Sequence, residues 1–175
     1  MSTNWRISSF NGALLAAYFI PTWTVVAFKI IISPIHGFYE RPNIAVALFI
    51  SDYLQLGGMA TVRLAWLLAL GKLTVVAFFA IFLVLLTRSA IRKNAGSRGG
   101  SNEALAMALA IGSLICFASM AMASMVGESA ALKLHATELL MLLGTAIVML
   151  FEAPAQPQTA SETLSLEQPQ FLDNR

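Results

Sequence analysis

Apolar residues occur in four long runs, and these runs predict the architecture of the chain. The longest is Leu64–Arg88, LAWLLALGKLTVVAFFAIFLVLLTR, which Lys72 alone interrupts before the terminal arginine. At a helical rise of about 1.5 Å per residue, about twenty apolar residues cross the roughly 30 Å hydrocarbon layer of a bilayer. The runs therefore predict four transmembrane helices, over residues 10–32, 64–87, 104–126 and 134–151.

A shorter apolar segment, residues 44–57, is harder to assign. A helix of about thirteen residues reaches only about 20 Å. Starting the second span near Ile44 would bury Asp52 and Arg63, and charges inside a membrane are costly. We therefore expect an interfacial or re-entrant helix, with the early start of span two as the alternative. The predicted fold class is all-α, a four-transmembrane-helix bundle with one additional short interfacial helix.

The polar parts of the sequence predict the domain limits and the orientation. Residues 1–152 are expected to form one membrane-embedded bundle, and residues 153–175, rich in Pro, Gln, Ser and Glu, a disordered tail. The loop after span two carries a basic cluster: Arg88, Arg92, Lys93 and Arg98. Because basic loops stay in the cytoplasm, both termini are expected there, in a bacterial cytoplasmic (inner) membrane.

Composition narrows the function classes. The chain is 58% hydrophobic and 11% charged, far from the balance of a soluble domain. A formal net charge of +2 is too small to predict nucleic-acid binding. The sequence has no nucleophile elbow, phosphate-binding loop, dinucleotide-binding motif or HExxH zinc motif, so we predict no enzymatic activity.

Small residues spaced four apart favour a packing function. Ala108 with Gly112, and Ser119 with Ala123, follow the spacing that lets membrane helices approach closely. The leading hypothesis is a non-enzymatic accessory or structural subunit. Its expected partners are the lipid bilayer and either other membrane subunits or further copies of the chain.

Two histidine and glutamate pairs support an alternative function. His36 and Glu40 are four residues apart, His135 and Glu138 three apart, and both pairs fall at the predicted outer face. This spacing places imidazole and carboxylate on one helical face, as in metal sites of helix bundles. The alternative is thus an ion-, proton- or metal-handling protein. A further alternative is a haem- or quinone-associated redox subunit that uses the same two histidines, which for haem would be the axial ligands. The sequence requires no cofactor.

Two further groups involve residues inside the spans. Cys116, Met120, Met122 and Met125 offer soft sulfur ligands for monovalent copper, although packing is the favoured interpretation of these methionines. Lys72 lies too deep in span two to reach the interface easily. We predict that it forms an intramembrane charge pair with Glu138.

Overall fold

Four long helices and one short helix form the fold. The computed structural model describes residues 7–32, 41–55, 57–92 and 98–152, so the predicted tail lies outside the described residues. The helices are α1 (Ile7–Ile32), α2 (Arg41–Tyr53), α3 (Gly58–Arg92), α4 (Arg98–Val126) and α5 (Ser129–Glu152). All but α2 are long and apolar enough to cross a membrane. This confirms the predicted fold class, and the chain is an integral membrane protein.

The four long helices form a closed bundle. Helix α1 packs on α3, α3 on α4, and α4 on α5, and α5 packs back on α1. Buried aromatic rings fill the centre: Phe19 stacks on Phe79 with ring centroids 5.7 Å apart, and it meets Trp23 edge-on. Many leucine, isoleucine and phenylalanine side chains on the outer faces are exposed, as expected where a bundle contacts lipid.

The long helices extend beyond the predicted apolar runs. Helix α3 begins at Gly58 rather than at residue 64 and continues to Arg92 rather than to residue 87. Arg63 and Arg88 lie inside this helix and are exposed. Charged residues therefore end the apolar run without ending the helix.

The short helix α2 packs against the bundle. It occupies Arg41–Tyr53 rather than residues 44–57, with Pro42 in its first turn, where a missing backbone N–H costs nothing. Ile44 and Ala47 are buried beside residues of α1 and α3. Asp52 is exposed, and a turn in which Gln55 has a φ of 52° separates α2 from α3. Helix α2 is thus a separate element and not the start of the second span.

A tight turn fixes how α4 and α5 face each other. Gly127 has a φ of +80°, and the N–H of Glu128 donates to the carbonyl of Ala123 at 3.0 Å, the pattern of a glycine-terminated helix. The antiparallel pair that results is called the α4–α5 hairpin below. Ala123 packs on Ala131 in it. Farther from the turn, a Cβ at Gly112 would meet Leu142 Cδ1 at 3.2 Å, so the leucine side chain packs directly against the backbone of α4.

A valine at Gly12 should destabilise the bundle by about 1–3 kcal/mol, because it would overpack a tight helix crossing. A Cβ there would lie 2.9 Å from Leu105 Cδ2 and 3.0 Å from Phe82 Cζ. Unfolding of the detergent-solubilised protein by added SDS measures the effect. Gly144→Val is the matched control, since a Cβ at Gly144 meets no described neighbour within 4 Å. Equal losses in the two variants would contradict the close approach.

Candidate functional site

Three buried side chains that bear metal-ligating atoms converge inside the bundle. They are Cys116 from α4 and His135 and Glu138 from α5, and their ligand atoms all lie within 4.8 Å of one another. We call these three residues the polar triad. Counted along their helices at 1.5 Å per residue, they lie about 9–15 Å from the helix ends next to α2. The site is therefore within the membrane-spanning part of the chain but closer to one side.

Glu138 is hydrogen-bonded to side chains of two other helices as well as to one of its own helix. Trp23 Nε1–H on α1 donates to Oε1 at 2.9 Å. The Cys116 thiol donates to Oε2 at 3.6 Å, and His135 Nδ1 lies 2.9 Å from the same oxygen. A carboxylate in an apolar interior is costly unless it is hydrogen-bonded. These contacts satisfy it, and they fix its orientation in the bundle.

The contact of His135 Nε2 determines which ring nitrogen carries a proton. Nε2 is 3.0 Å from the carbonyl oxygen of Pro42, at the start of α2. A carbonyl only accepts, so Nε2 carries a proton and donates it. Nδ1 then shares a single proton with Glu138 Oε2, held by either partner. Nδ1 and its neighbouring oxygen and sulfur atoms are thus the groups left to bind a ligand.

Lys72 lies beside the polar triad and is 1% exposed. Its Nζ donates to Asn43 Oδ1 on α2 at 3.3 Å and lies 5.4 Å from the centre of the Trp23 ring. Trp23 therefore contacts both Lys72, through its ring face, and Glu138, through its N–H. A direct ion pair between Lys72 and Glu138 stays a prediction.

The structure brings together some of the predicted site residues. His135 and Glu138 are adjacent, as their spacing suggested, while His36 and Glu40 lie outside the described residues. Cys116, assigned from sequence to a sulfur group with nearby methionines, instead contacts Glu138. The methionines differ in exposure: Met120 and Met122 are half-buried, and Met125 is 68% exposed.

Sequence reasoning missed the residues that reach the triad from other helices. They are Trp23, Pro42 and Asn43. Nothing in the local sequence of α1 or α2 indicates these contacts. The contact between Cys116 and Glu138 did have a signal, because the two residues are equidistant along the chain from Gly127, where the hairpin turns. Folding the sequence back on that glycine places them opposite each other.

The geometry of the triad fits a small metal ion. With zinc-type bond lengths and tetrahedral angles, nitrogen and oxygen ligands lie about 3.3 Å apart, and sulfur and oxygen ligands about 3.6 Å apart. The structure has 2.9 Å for Nδ1 to Oε2 and 3.6 Å for Sγ to Oε2. Metal-bound histidines generally donate their other ring N–H to a carbonyl or a carboxylate, as His135 does to Pro42. The third separation, between Sγ and Nδ1, is at most 4.8 Å, compared with about 3.6 Å in such a site.

Haem fits this environment less well. Nε2 of His135 is bonded to the Pro42 carbonyl, and Nδ1 faces the polar atoms of Glu138 and Cys116. An axial haem ligand needs a nitrogen that faces an apolar slot.

Comparison of the chain with protein-family models, with curated proteins and with solved structures finds no match. The functional argument therefore depends on the geometry of the site.

Trp23→Phe should destabilise the protein by about 1–3 kcal/mol, because Glu138 loses a buried hydrogen bond while the ring stacking is largely kept. The measurement is SDS-induced unfolding in detergent. Trp66→Phe is the matched control, since Trp66 is 42% exposed on the outer face of α3. Similar losses for both substitutions would show that the bond from Trp23 adds nothing to stability.

Proposed function

We propose that this membrane protein binds a divalent transition-metal ion of the zinc class inside its helix bundle. The polar triad would supply the ligands: Cys116 Sγ, His135 Nδ1 and a carboxylate oxygen of Glu138. The observation that carries the proposal is their convergence, since three different ligand atoms from two helices lie within 4.8 Å of one another. This develops the metal-handling alternative and gives the ligand role of His36 and Glu40 to Cys116.

The donor set favours one class of metal. Calcium and magnesium prefer oxygen ligands only, whereas monovalent copper prefers thiolates and thioethers. One thiolate, one imidazole and one carboxylate together suit borderline divalent ions such as Zn²⁺ and Co²⁺. The donor set thus argues against the copper site considered from the methionines of α4.

Charge balance also supports a divalent ion. Without metal, the triad holds one proton on the Cys116 thiol and one between His135 and Glu138. A metal ion with two positive charges would replace these two protons, so the net charge of the site would not change. In a low-dielectric interior, a change of net charge is costly, and an exchange that preserves it avoids that cost.

The packing subunit remains the other candidate function. Close contacts at Gly12 and Gly112 and the hydrogen bonds around Glu138 support tight packing within one chain. The exposed apolar faces suit lipid and a partner helix equally, so they do not favour a second protein. The absence of enzymatic activity stays a prediction.

The orientation is a further part of the proposal. We place the protein in a bacterial cytoplasmic membrane with both termini in the cytoplasm. The support is the basic sequence between α3 and α4, at the bundle end where Ser8 N–H donates to Glu152. The polar triad then lies in the outer half of the membrane, and metal would reach it from that side.

Purified protein in mild detergent should bind one Zn²⁺ or Co²⁺ per chain, measured by elemental analysis after removal of free metal. Bound Co²⁺ should show the intense near-ultraviolet absorption of a cobalt thiolate. Cys116→Ser should abolish this absorption, and Glu138→Gln should weaken binding by at least about 100-fold, because loss of a ligand exceeds the effect of its supporting contacts.

Glu103→Gln is the matched control, since Glu103 is exposed on α4. It should bind metal like the unchanged protein. Absence of stoichiometric metal in the unchanged protein, or equal binding by Glu138→Gln, would refute the metal site. The triad would then serve as a hydrogen-bonded contact between helices.

Metal binding should release about two protons per Zn²⁺ at neutral pH, because metal ligands bind in their deprotonated forms. Calorimetric titration in buffers of different ionisation enthalpy measures this number. Cys116→Ser should lower it by about one. Release of no protons would contradict the charge-conserving exchange.

A further inference from the structure

Ser119 on α4 is a buried hydroxyl with unusual surroundings. It is 1% exposed, and among the described residues its Oγ is a buried side-chain oxygen with no hydrogen-bond partner. Other hydroxyls in these helices donate to a carbonyl one turn earlier, such as Thr137 to Lys133 at 2.8 Å and Thr145 to Met141 at 3.1 Å. A buried hydroxyl that makes no such bond is costly, so a ligand that would complete it is expected.

The register of the α4–α5 hairpin places Ser119 beside the polar triad. Cys116 contacts Glu138, and Ala123 packs on Ala131. Ser119 lies three residues after Cys116 and four before Ala123, so all three share the face of α4 that meets α5. In this antiparallel register, the residue of α5 level with Ser119 is His135.

We propose that Ser119 holds the fourth ligand of the metal ion, a water molecule that other small ligands can replace. This inference rests on the proposed metal site. The triad supplies three protein ligands, and a zinc-type ion takes four. Sites with three protein ligands keep a water or substrate in the fourth position, whereas purely structural sites are closed by four protein ligands.

A water is the ligand that matches the chemistry of Ser119. A neutral alcohol is a poor metal ligand, but a hydroxyl is a good hydrogen-bond partner for a metal-bound water. Such contacts to ligands raise metal affinity, usually by about 10–100-fold. The unpartnered hydroxyl would thus be satisfied when metal and water are bound, and only then.

The test uses Co²⁺, with sodium azide as the probe of the fourth position. Azide should shift the visible cobalt absorption of the unchanged protein by replacing the water. Ser119→Ala should weaken Co²⁺ binding by about 10–100-fold. The same variant should keep or raise the melting temperature of the metal-free protein, because it removes an unsatisfied buried hydroxyl.

Ser124→Ala is the matched control, since Ser124 is exposed on the same helix. It should change neither the affinity for Co²⁺ nor the melting temperature of the metal-free protein. A cobalt thiolate spectrum that ignores azide, or an unchanged affinity in Ser119→Ala, would overturn this inference and leave the metal site standing. Equal losses of affinity and of metal-free stability in Ser119→Ala would overturn it too, since they indicate a packing role. Failure of the unchanged protein to bind Co²⁺ would refute both proposals.

Discussion

The carboxylate of Glu138 imposes the strongest physical requirement in this bundle. A carboxylate inside a membrane is tolerated only where protein groups replace water around it. Trp23 reaches it from α1, Cys116 from α4 and His135 from α5 itself. Helix α2 is linked to Glu138 through His135, because the Pro42 carbonyl accepts the Nε2–H of that histidine. A single buried acid therefore orders contacts among four of the five helices.

The same network admits two functions, helix packing and metal binding. Hydrogen bonds between membrane helices stabilise packing without serving any ligand. Yet packing alone does not require three different ligand atoms within 4.8 Å of one another, nor a buried hydroxyl that has no hydrogen-bond partner among the described residues. Lys72 adds a fixed positive charge at the edge of the site, held by Asn43 and the Trp23 ring. That charge would disfavour a metal ion alone and favours a site whose ligands become anionic as the metal enters.

The fold could be predicted from the sequence because hydropathy over twenty residues is a strong signal, and four such runs predict four spans. The ends of the helices are harder to predict from the sequence, since Arg63 and Arg88 interrupt the apolar pattern but not the helix. In the site, His135 and Glu138 share one helix, so their spacing alone predicted their contact. Trp23 and Pro42 contact the triad from other helices. The spacing of residues within α1 or α2 does not indicate such contacts. The contact of Cys116 with Glu138 likewise crosses an interface, and its neighbours along α4, the methionines, give no indication of it.

The turn at Gly127 affects the order in which the helices of the chain pack during folding. The proposed metal ligands all come from the hairpin that it closes, and Cys116 and Glu138 are only 22 residues apart in sequence. Contacts across short loops form at low entropic cost and early in folding. The last two spans therefore carry all three proposed ligands, while α1 and α2 bring the groups that contact them. Substitutions in the first half of the chain would then alter how the proposed ligands are held without removing any of them.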